Sequence, residues 1–255
     1  MLDRRAYLER INYGGPLDPT AETLRELHNA HLLSVPFENL DVKLGRAIVL
    51  DEERLFRKIV EERRGGICYE LNSAFCTLLR ALGFEVSMLS AGVARDDGGF
   101  DPPFDHMALL VQLEDRWLAD VGFGDGFREP LKLDLRNEQS QNGEVFKIVD
   151  GADGHLILQR HERELCKPQY RFTLDPYELS DFGEMCRYHQ TSPDSPFTQK
   201  QVCTRALPDG RVTLTGMRLI TKLRDERCER ELSSQSEYIA VLREEFGVEF
   251  GRLTA

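Results

Sequence analysis

The 255-residue chain lacks the features that mark membrane-spanning, secreted and zinc-binding proteins. Its apolar runs are short, such as residues 107–111, whereas a membrane-spanning helix needs about 20 apolar residues. No apolar stretch of a secretory signal follows its first residues, MLDRRAYLER. Its six cysteines form no CxxC pair and no set with zinc spacing. We therefore expect a cytoplasmic protein with reduced thiols, no metal site and no membrane partner.

Positive charge is also scarce, because 33 basic residues face 44 acidic ones and the net charge is −11. Residues 84–185 carry this whole excess, with 10 basic and 21 acidic side chains. The segment before them has a charge of −1, and the segment after them has a charge of +1. Such a balance disfavours nucleic acid and anionic lipid as partners. We expect an anionic ligand to approach through the last segment.

The hydrophobic period changes along the chain and predicts an α+β protein with three segments. Residues 1–83 have helical spacing, with one helix expected to start at Asp18-Pro19 and another to run from Cys68 to Leu82. Short alternating runs separated by turns predict several strands in residues 84–185, arranged as a barrel or a sandwich. Residues 186–255 combine a hairpin signal with a terminal helix.

Cys68 is the strongest candidate for a nucleophile. It follows the Gly65-Gly66 break in RRGGICYELN and stands at the predicted start of a helix. Free N–H groups and the positive end of the helix dipole stabilise a thiolate at such a position. The alternative is a buried, unreactive cysteine, and we assign the other five cysteines to that alternative because they lack this context.

His106 and Asp120 are the predicted base and the acid that orients it. Asp120 lies among apolar neighbours in WLADVGFG, where an unpaired carboxylate would be costly. A two-residue turn at Glu114-Asp115 would set the two side chains on opposite faces of the sheet, whereas a three-residue connection or a bulge sets them on one face. We therefore predict a connection other than a two-residue turn. A core histidine is the alternative for His106.

These strings resemble the arylamine N-acetyltransferase family. RGGICYELN matches the family signature RGGxCxExN, and DHMALLV and ADVGFG match the segments that carry its histidine and aspartate. SVPFENL at 34–40, TSPDSPF at 191–197 and GRVTLTGMRLI at 210–220 are similar to further family segments. The resemblance covers nearly the whole chain. The chain has no room for the mid-chain insertion of vertebrate members, so it is more similar to the bacterial members.

The resemblance implies a fold and a reaction. The fold is an N-terminal helical bundle (1–83), a central antiparallel β-barrel (84–185) and a C-terminal α/β lid (186–255) around a Cys-His-Asp thiol-enzyme core. The reaction is a ping-pong transfer of acetyl from acetyl-coenzyme A, through acetyl-Cys68, to an arylamine, N-hydroxyarylamine or hydrazine. By the same resemblance, His106 activates the thiol and Asp120 fixes the tautomer of His106.

The resemblance also implies roles for residues around the triad. Phe37 and Phe123 are the candidates for the walls of an apolar pocket that keeps water from the thioester, and the alternative for each is a core residue. Gly124 is the candidate for close approach of the acyl group or the cofactor. Glu38 and Arg64 match a supporting ion pair, whose alternative is two solvated surface charges. The family binds coenzyme A in the cleft between barrel and lid, but the contacting residues differ among members and are not assigned from the sequence. The acceptor amine and the oligomeric state are likewise not predicted.

Other classes of function remain open from the sequence. A thiol hydrolase or a transglutaminase-like enzyme uses the same three residue types in the same chain order. An amide synthase with a tethered acyl donor is a close variant of the transfer reaction. A non-enzymatic binding protein that retains the fold is the third alternative. It predicts an ordinary pKa for the Cys68 thiol.

Overall fold

The computed structural model describes residues 3–162, 165–224 and 226–249. Within these residues a helical segment precedes an eight-stranded antiparallel sheet and a second sheet of five strands. The mixed architecture of helices followed by a barrel-like sheet confirms the predicted fold class. No helix in the described part of the chain is long and apolar enough to cross a membrane.

The second helix begins later than the sequence predicts. Thr20, not Asp18, is its N-cap, and the Thr20 hydroxyl accepts a hydrogen bond from the N–H of Thr23 at 3.2 Å. Pro19 therefore lies one residue before the N-cap and not at the first helical position. The Thr20 backbone is extended, and its hydroxyl accepts from a backbone N–H that has no partner within the helix. The helices of this segment are α1 (Arg4–Arg10), α2 (Ala21–Ser34), α3 (Leu40–Lys43), α4 (Glu52–Phe56) with a following π-helical turn (Arg57–Glu61), and α5 (Cys68–Ala81).

Helix α5 joins the helical segment to the eight-stranded sheet. Phe75 and Leu78, on the apolar face of this helix, are fully buried. The same hydrophobic core continues into Met107 and Leu109 of the sheet. Burial of each such side chain contributes roughly 2 kcal/mol, so the position of α5 on the sheet is strongly fixed. Since one core crosses residues 83 and 84, the division of the chain at that point stays a prediction.

The central sheet is antiparallel and curls towards closure. Its strand order is β5-β4-β3-β2-β9-β8-β7-β6. The side chain of Gln139 connects the two edge strands, because it accepts from the N–H of Lys132 at 2.8 Å and donates to its carbonyl at 2.9 Å. The strands are β2 (Glu85–Val93), β3 (His106–Gln112), β4 (Arg116–Ala119), β5 (Leu131–Lys132), β6 (Gln139–Gln141), β7 (Glu144–Asp150), β8 (Leu156–Glu162) and β9 (Leu165–Tyr177).

The connection between β3 and β4 contains three residues, 113–115, which confirms that it is not a two-residue turn. Leu109 pairs with Ala119 in this hairpin. One further step along the same register sets Asp120 opposite Ala108, on the face that His106 occupies. Asp120 itself follows the last residue of β4, so it lies at the strand end and not within the strand as predicted.

The five-stranded sheet recruits a strand from the first segment, which the helical prediction for residues 1–83 did not include. This strand, β1 (Phe37–Glu38), pairs with β10, so the sheet order is β1-β10-β11-β12-β13. Tyr238 and Leu242 of the terminal helix pack against this sheet in a separate core. The remaining elements are α6 (Gly183–Thr191), α7 (Pro196–Gln199), β10 (Val202–Leu207), β11 (Gly210–Thr215), β12 (Arg218–Leu223), β13 (Glu226–Glu231) and α8 (Gln235–Phe246).

Candidate active site

The structure brings Cys68, His106 and Asp120 together. Cys68 is the first residue of α5, which confirms the predicted helix start, and it is buried. His106 opens β3, and its Nε2 lies 2.7 Å from Oδ2 of Asp120. The Cys68 sulfur lies close enough to His106 to raise the pKa of that imidazole.

The imidazole of His106 is held in its charged form. Burial by itself lowers the pKa of His106, because it removes water from the cation. The Asp120 carboxylate outweighs burial, through its charge and its hydrogen bond, and the Cys68 sulfur adds to it. The result is a pKa of His106 raised from 6.5 to about 10. A buried imidazolium beside a sulfur atom stabilises a thiolate.

The carboxylate of Asp120 is fixed by neutral donors as well as by His106. Its Oδ1 accepts from Asn72 Nδ2 at 2.9 Å and from the N–H of Gly122 at 2.9 Å. Asn72 lies one turn after Cys68 on α5, and its Oδ1 accepts from the N–H of Val121 at 2.9 Å. Burial raises the pKa of Asp120, but the charge of His106 and these hydrogen bonds lower it overall. One helix therefore carries Cys68, the candidate nucleophile, and holds the Asp120 carboxylate through Asn72.

A second buried histidine supports the same strand end. His28 Nε2 accepts from the backbone N–H of Asp120 at 3.1 Å, and its Nδ1 donates to the carbonyl of Arg128 at 2.9 Å. Burial lowers the pKa of His28 to about 4, so the ring is neutral. Sequence analysis had no signal for this role, because His28 lies on α2 outside any motif.

Glu38 and Arg64 form a buried ion pair before the nucleophile. Arg64 Nε and Nη2 donate to Glu38 Oε1 at 2.9 Å and 2.7 Å, and Nη2 also donates to Asp41 Oδ1 at 3.0 Å. Lys58, in the π-helical turn, bridges Asp41 and Glu70 at 2.8 Å from each. The network connects the loop before Cys68 to β1, α3, the π-helical turn and α5.

Two glycines permit close approach around Cys68. A Cβ on Gly65 would lie 2.0 Å from the carbonyl oxygen of Pro36, and a Cβ on Gly122 would lie 2.8 Å from Cα of Cys68. Neither position has room for a side chain, since such contacts are shorter than van der Waals separation. Sequence analysis missed Gly122, although the pattern VGFG that follows Asp120 was a signal for it.

The predicted pocket residues Phe37, Phe123 and Gly124 contact residues in or close to the candidate site. The ring of Phe123 is 5.3 Å from the His106 imidazole and 5.3 Å from the ring of Tyr170. Phe37 forms a bridge with Gly66 and packs near Gly124, which has a φ of +85°. A Cβ on Gly124 would lie 3.6 Å from the Phe37 ring. Phe123 thus lies against the His106 imidazole, and Phe37 pairs with the residue two positions before Cys68 and lies against Gly124.

A cleft with a volume of about 1060 Å³ lies between the barrel and the five-stranded sheet. Asp125, next to Gly124, is in this cleft and pairs with Arg211 at 2.8 Å. Cations outnumber acids in its lining, which includes Arg128, Arg160, Arg211, Lys222, Arg224 and Arg227 against Asp125, Glu144 and Asp209. The cleft therefore suits an anionic ligand. In the described residues, no three His, Cys, Asp or Glu side chains are grouped to hold a metal ion.

The chain is similar to known proteins over most of its length. A family model described as N-acetyltransferase matches residues 20–254. The chain is 37% identical over 250 residues to the arylamine N-acetyltransferase of Escherichia coli, with 95% of this chain and 87% of that protein covered.

Two solved structures have the same fold. The arylamine N-acetyltransferase of Salmonella typhimurium is 33% identical, with a TM-score of 0.92 over 98% of this chain and 93% of that one. The enzyme of Mycobacterium marinum in complex with coenzyme A is 31% identical, with a TM-score of 0.90 over 96% and 93% of the two chains.

Proposed function

The chain belongs to the arylamine N-acetyltransferase family, and on that premise we propose that it transfers acetyl from acetyl-coenzyme A to an aromatic amine, N-hydroxyarylamine or hydrazine. The observation that carries this proposal is the buried contact of His106 Nε2 with Asp120 Oδ2 at 2.7 Å, beside a cysteine at a helix start. Cys68 is the nucleophile, His106 the base and acid, and Asp120 the residue that orients and charges His106.

In the first half-reaction, the Cys68 thiolate attacks the thioester carbonyl carbon of acetyl-coenzyme A. A new C–S bond to Cys68 forms, and the C–S bond to coenzyme A breaks. The leaving coenzyme A thiolate takes the proton of the His106 imidazolium. Because Asp120 stabilises that imidazolium, the proton is present at His106 before the attack begins. Free N–H groups at the start of α5 are oriented to stabilise the oxyanion.

In the second half-reaction, the neutral amine nitrogen attacks the carbonyl carbon of acetyl-Cys68. His106 takes the proton from that nitrogen, the C–S bond breaks, and the amide leaves. Arylamines are weakly basic, so at neutral pH they carry the free electron pair that this step needs. We place the acceptor between Phe37 and Phe123, beside Gly124. These aromatic walls suit an aromatic ring and exclude water from the acetyl-enzyme.

We place coenzyme A in the cleft between the barrel and the five-stranded sheet. Its phosphates suit the cationic lining, and Asp125 of that lining follows Gly124 directly in the chain. Lys222→Ala should raise the KM for acetyl-coenzyme A about tenfold, and the KM for the amine should stay unchanged. Lys147→Ala, in β7 outside the lining, is the matched control. An unchanged KM for acetyl-coenzyme A in Lys222→Ala would contradict this placement.

The ion pair of Glu38 and Arg64 is proposed as a support for the loop that ends at Cys68. It is buried, and Glu38 Oε2 also accepts from the N–H of Leu40 at 2.8 Å. We also propose that the enzyme acts in the cytoplasm, where a reducing environment keeps the Cys68 thiol free.

Mass spectrometry tests the proposed reaction. The protein is incubated with acetyl-coenzyme A without an amine, and the intact mass and the peptide that contains Cys68 are measured. We expect one acetyl group on that peptide, its loss when an arylamine is added, and no adduct in Cys68→Ala. A thiol hydrolase would instead show no lasting adduct and would release acetate. Retained transfer in Cys68→Ala would remove the proposed nucleophile.

A further inference from the structure

The segment that leads into His106 has an unusual backbone. Phe104 has a φ of +68°, in the left-handed region that bulky residues rarely adopt. His106 begins β3 only two residues later. Strained backbone next to a catalytic residue persists where the surrounding structure holds it in place. The groups that hold residues 104 and 105 therefore decide where His106 lies.

Tyr69 contributes the central contact to this segment. Its hydroxyl lies 2.7 Å from the carbonyl oxygen of Phe104 and 3.0 Å from that of Asp105. Tyr69 is fully buried, and it follows Cys68 directly on α5. Burial, with the neighbouring charge of Cys68, raises the pKa of Tyr69 well above its ordinary value. The hydroxyl therefore remains a donor over the whole pH range of the enzyme.

Two further side chains hold the same segment from other elements. Ser90 Oγ, on β2, accepts from the N–H of Phe104 at 2.7 Å. His189 Nε2, on α6, lies 3.2 Å from the carbonyl oxygen of Asp105 and 3.1 Å from its Oδ1. Of these contacts, only the one from Tyr69 comes from the helix that carries the nucleophile.

We propose that Tyr69 is a positioning residue, whose hydroxyl clamps the carbonyls of residues 104 and 105 and so sets the distance between the imidazole of His106 and the sulfur of Cys68. The proposal rests on the triad described above. Cys68 and Tyr69 are adjacent on one helix. The Tyr69 hydroxyl bonds to residues 104 and 105, and His106 follows them directly. The clamp therefore links the position of the nucleophile to the position of its base. Without the hydroxyl, the left-handed turn at Phe104 loses a contact that opposes its relaxation.

Tyr69→Phe tests the clamp, because it removes one oxygen and keeps the ring that packs near Phe182 and His189. We expect kcat/KM to fall between about 10-fold and 100-fold, since a small misplacement of a catalytic group has effects of that size. The KM for the amine should change less than about twofold, because the hydroxyl faces the backbone of residues 104 and 105 and not the acceptor space.

A second readout separates positioning from stability. The rate of Cys68 alkylation by iodoacetamide is measured against pH, well below the melting temperature. A looser contact with His106 stabilises the thiolate less, so the pH of half-maximal alkylation should rise in Tyr69→Phe. Ser90→Ala, which releases the N–H of Phe104, should shift it in the same direction and provides a second variant should Tyr69→Phe fold poorly.

Tyr7→Phe is the matched control. Tyr7 is also fully buried in the helical segment, and its hydroxyl bonds to His31 Nδ1 at 3.1 Å, away from the triad. It should lose stability and keep the wild-type kcat and alkylation profile. Wild-type kinetics and alkylation in Tyr69→Phe, or an equal loss in Tyr7→Phe, would overturn the clamp. A wild-type protein that is not acetylated at Cys68 would instead contradict the proposed function.

Discussion

Two histidines in this molecule are both buried, but one is neutral and the other is positively charged. Burial lowers the pKa of His28 to about 4, whereas the pKa of His106 is raised to about 10 in spite of burial. Both rings contact the same residue, Asp120. His28 accepts from its backbone N–H, and His106 bonds to its carboxylate. The charge of each buried imidazole therefore depends on which group of Asp120 it contacts. The backbone N–H leaves His28 neutral, and the carboxylate keeps His106 protonated.

The difference between the two histidines separates scaffold from chemistry. A neutral His28 with its proton on Nδ1 satisfies two backbone groups and keeps the end of β4 in place. In the proposed reaction, a charged His106 delivers a proton to the leaving group.

The largest effect is expected when the carboxylate of Asp120 becomes an amide. In Asp120→Asn the main group that opposes burial is lost, so the pKa of His106 should fall towards that of His28. We expect kcat/KM to drop about 10⁴-fold, as in other triads that lose their acid. Asp134→Asn, an exposed carboxylate paired with Arg116, is the control. A loss of less than tenfold in Asp120→Asn would refute the role of this charge.

We expect His106 to account for the loss of unfolding free energy at alkaline pH. Its folded pKa of about 10 lies above the ordinary 6.5, so its contribution is full below pH 6.5 and is lost as pH rises through 10. Relative to His106→Gln, the wild type should lose on the order of 5 kcal/mol of unfolding free energy over that interval. Urea unfolding at several pH values measures this, and parallel curves for the two proteins would count against it.

The buried carboxylate of Glu38 also depends on a partner of opposite charge. Arg64→Met leaves that carboxylate without its main partner, so we expect a loss of about 3–5 kcal/mol of unfolding free energy. Arg116→Met, which breaks an exposed pair with Asp134, should cost less than about 1 kcal/mol. Chemical denaturation measures the unfolding free energy of both variants. Equal losses would show that burial of an ion pair does not determine how much it stabilises the fold.

The smallest effect is expected at His28. Its folded pKa of about 4 lies below 6.5, so the neutral ring contributes fully above pH 6.5, and this contribution is lost as pH falls to 4. Relative to His28→Gln, the wild type should lose on the order of 3 kcal/mol over that interval. Denaturation at pH 4 and pH 7 checks it. A wild type that loses no more than the variant would mean that His28 is charged in the fold.

The sequence revealed the triad because its parts are local. Cys68 stands in a motif at a helix start, and the parity of a short hairpin sets His106 and Asp120 on one face. The pairing of β1 with β10 was not predictable, since it joins residues about 165 positions apart by backbone hydrogen bonds that leave no pattern. The N-cap at Thr20 was missed because Asp18-Pro19 is an equally good start signal nearby.

The supporting residues were harder to find for a physical reason. Tyr69 and His28 act on backbone groups, and a backbone carbonyl or N–H has no identity in the sequence. Their partners are fixed only when α5 and α2 pack on the barrel. Gly122 had a signal in its spacing from Asp120, but its contact with Cys68 depends on the same packing.

The most direct test of the account is a titration of the imidazole nitrogens by ¹⁵N NMR in the wild-type protein. Between pH 5 and pH 9, His106 should show two protonated nitrogens, and His28 should show one proton, on Nδ1, over the same range. This follows from the pKa values of about 10 and about 4. A neutral His106 at pH 7, titrating together with His28, would contradict the claim that Asp120 keeps the base charged.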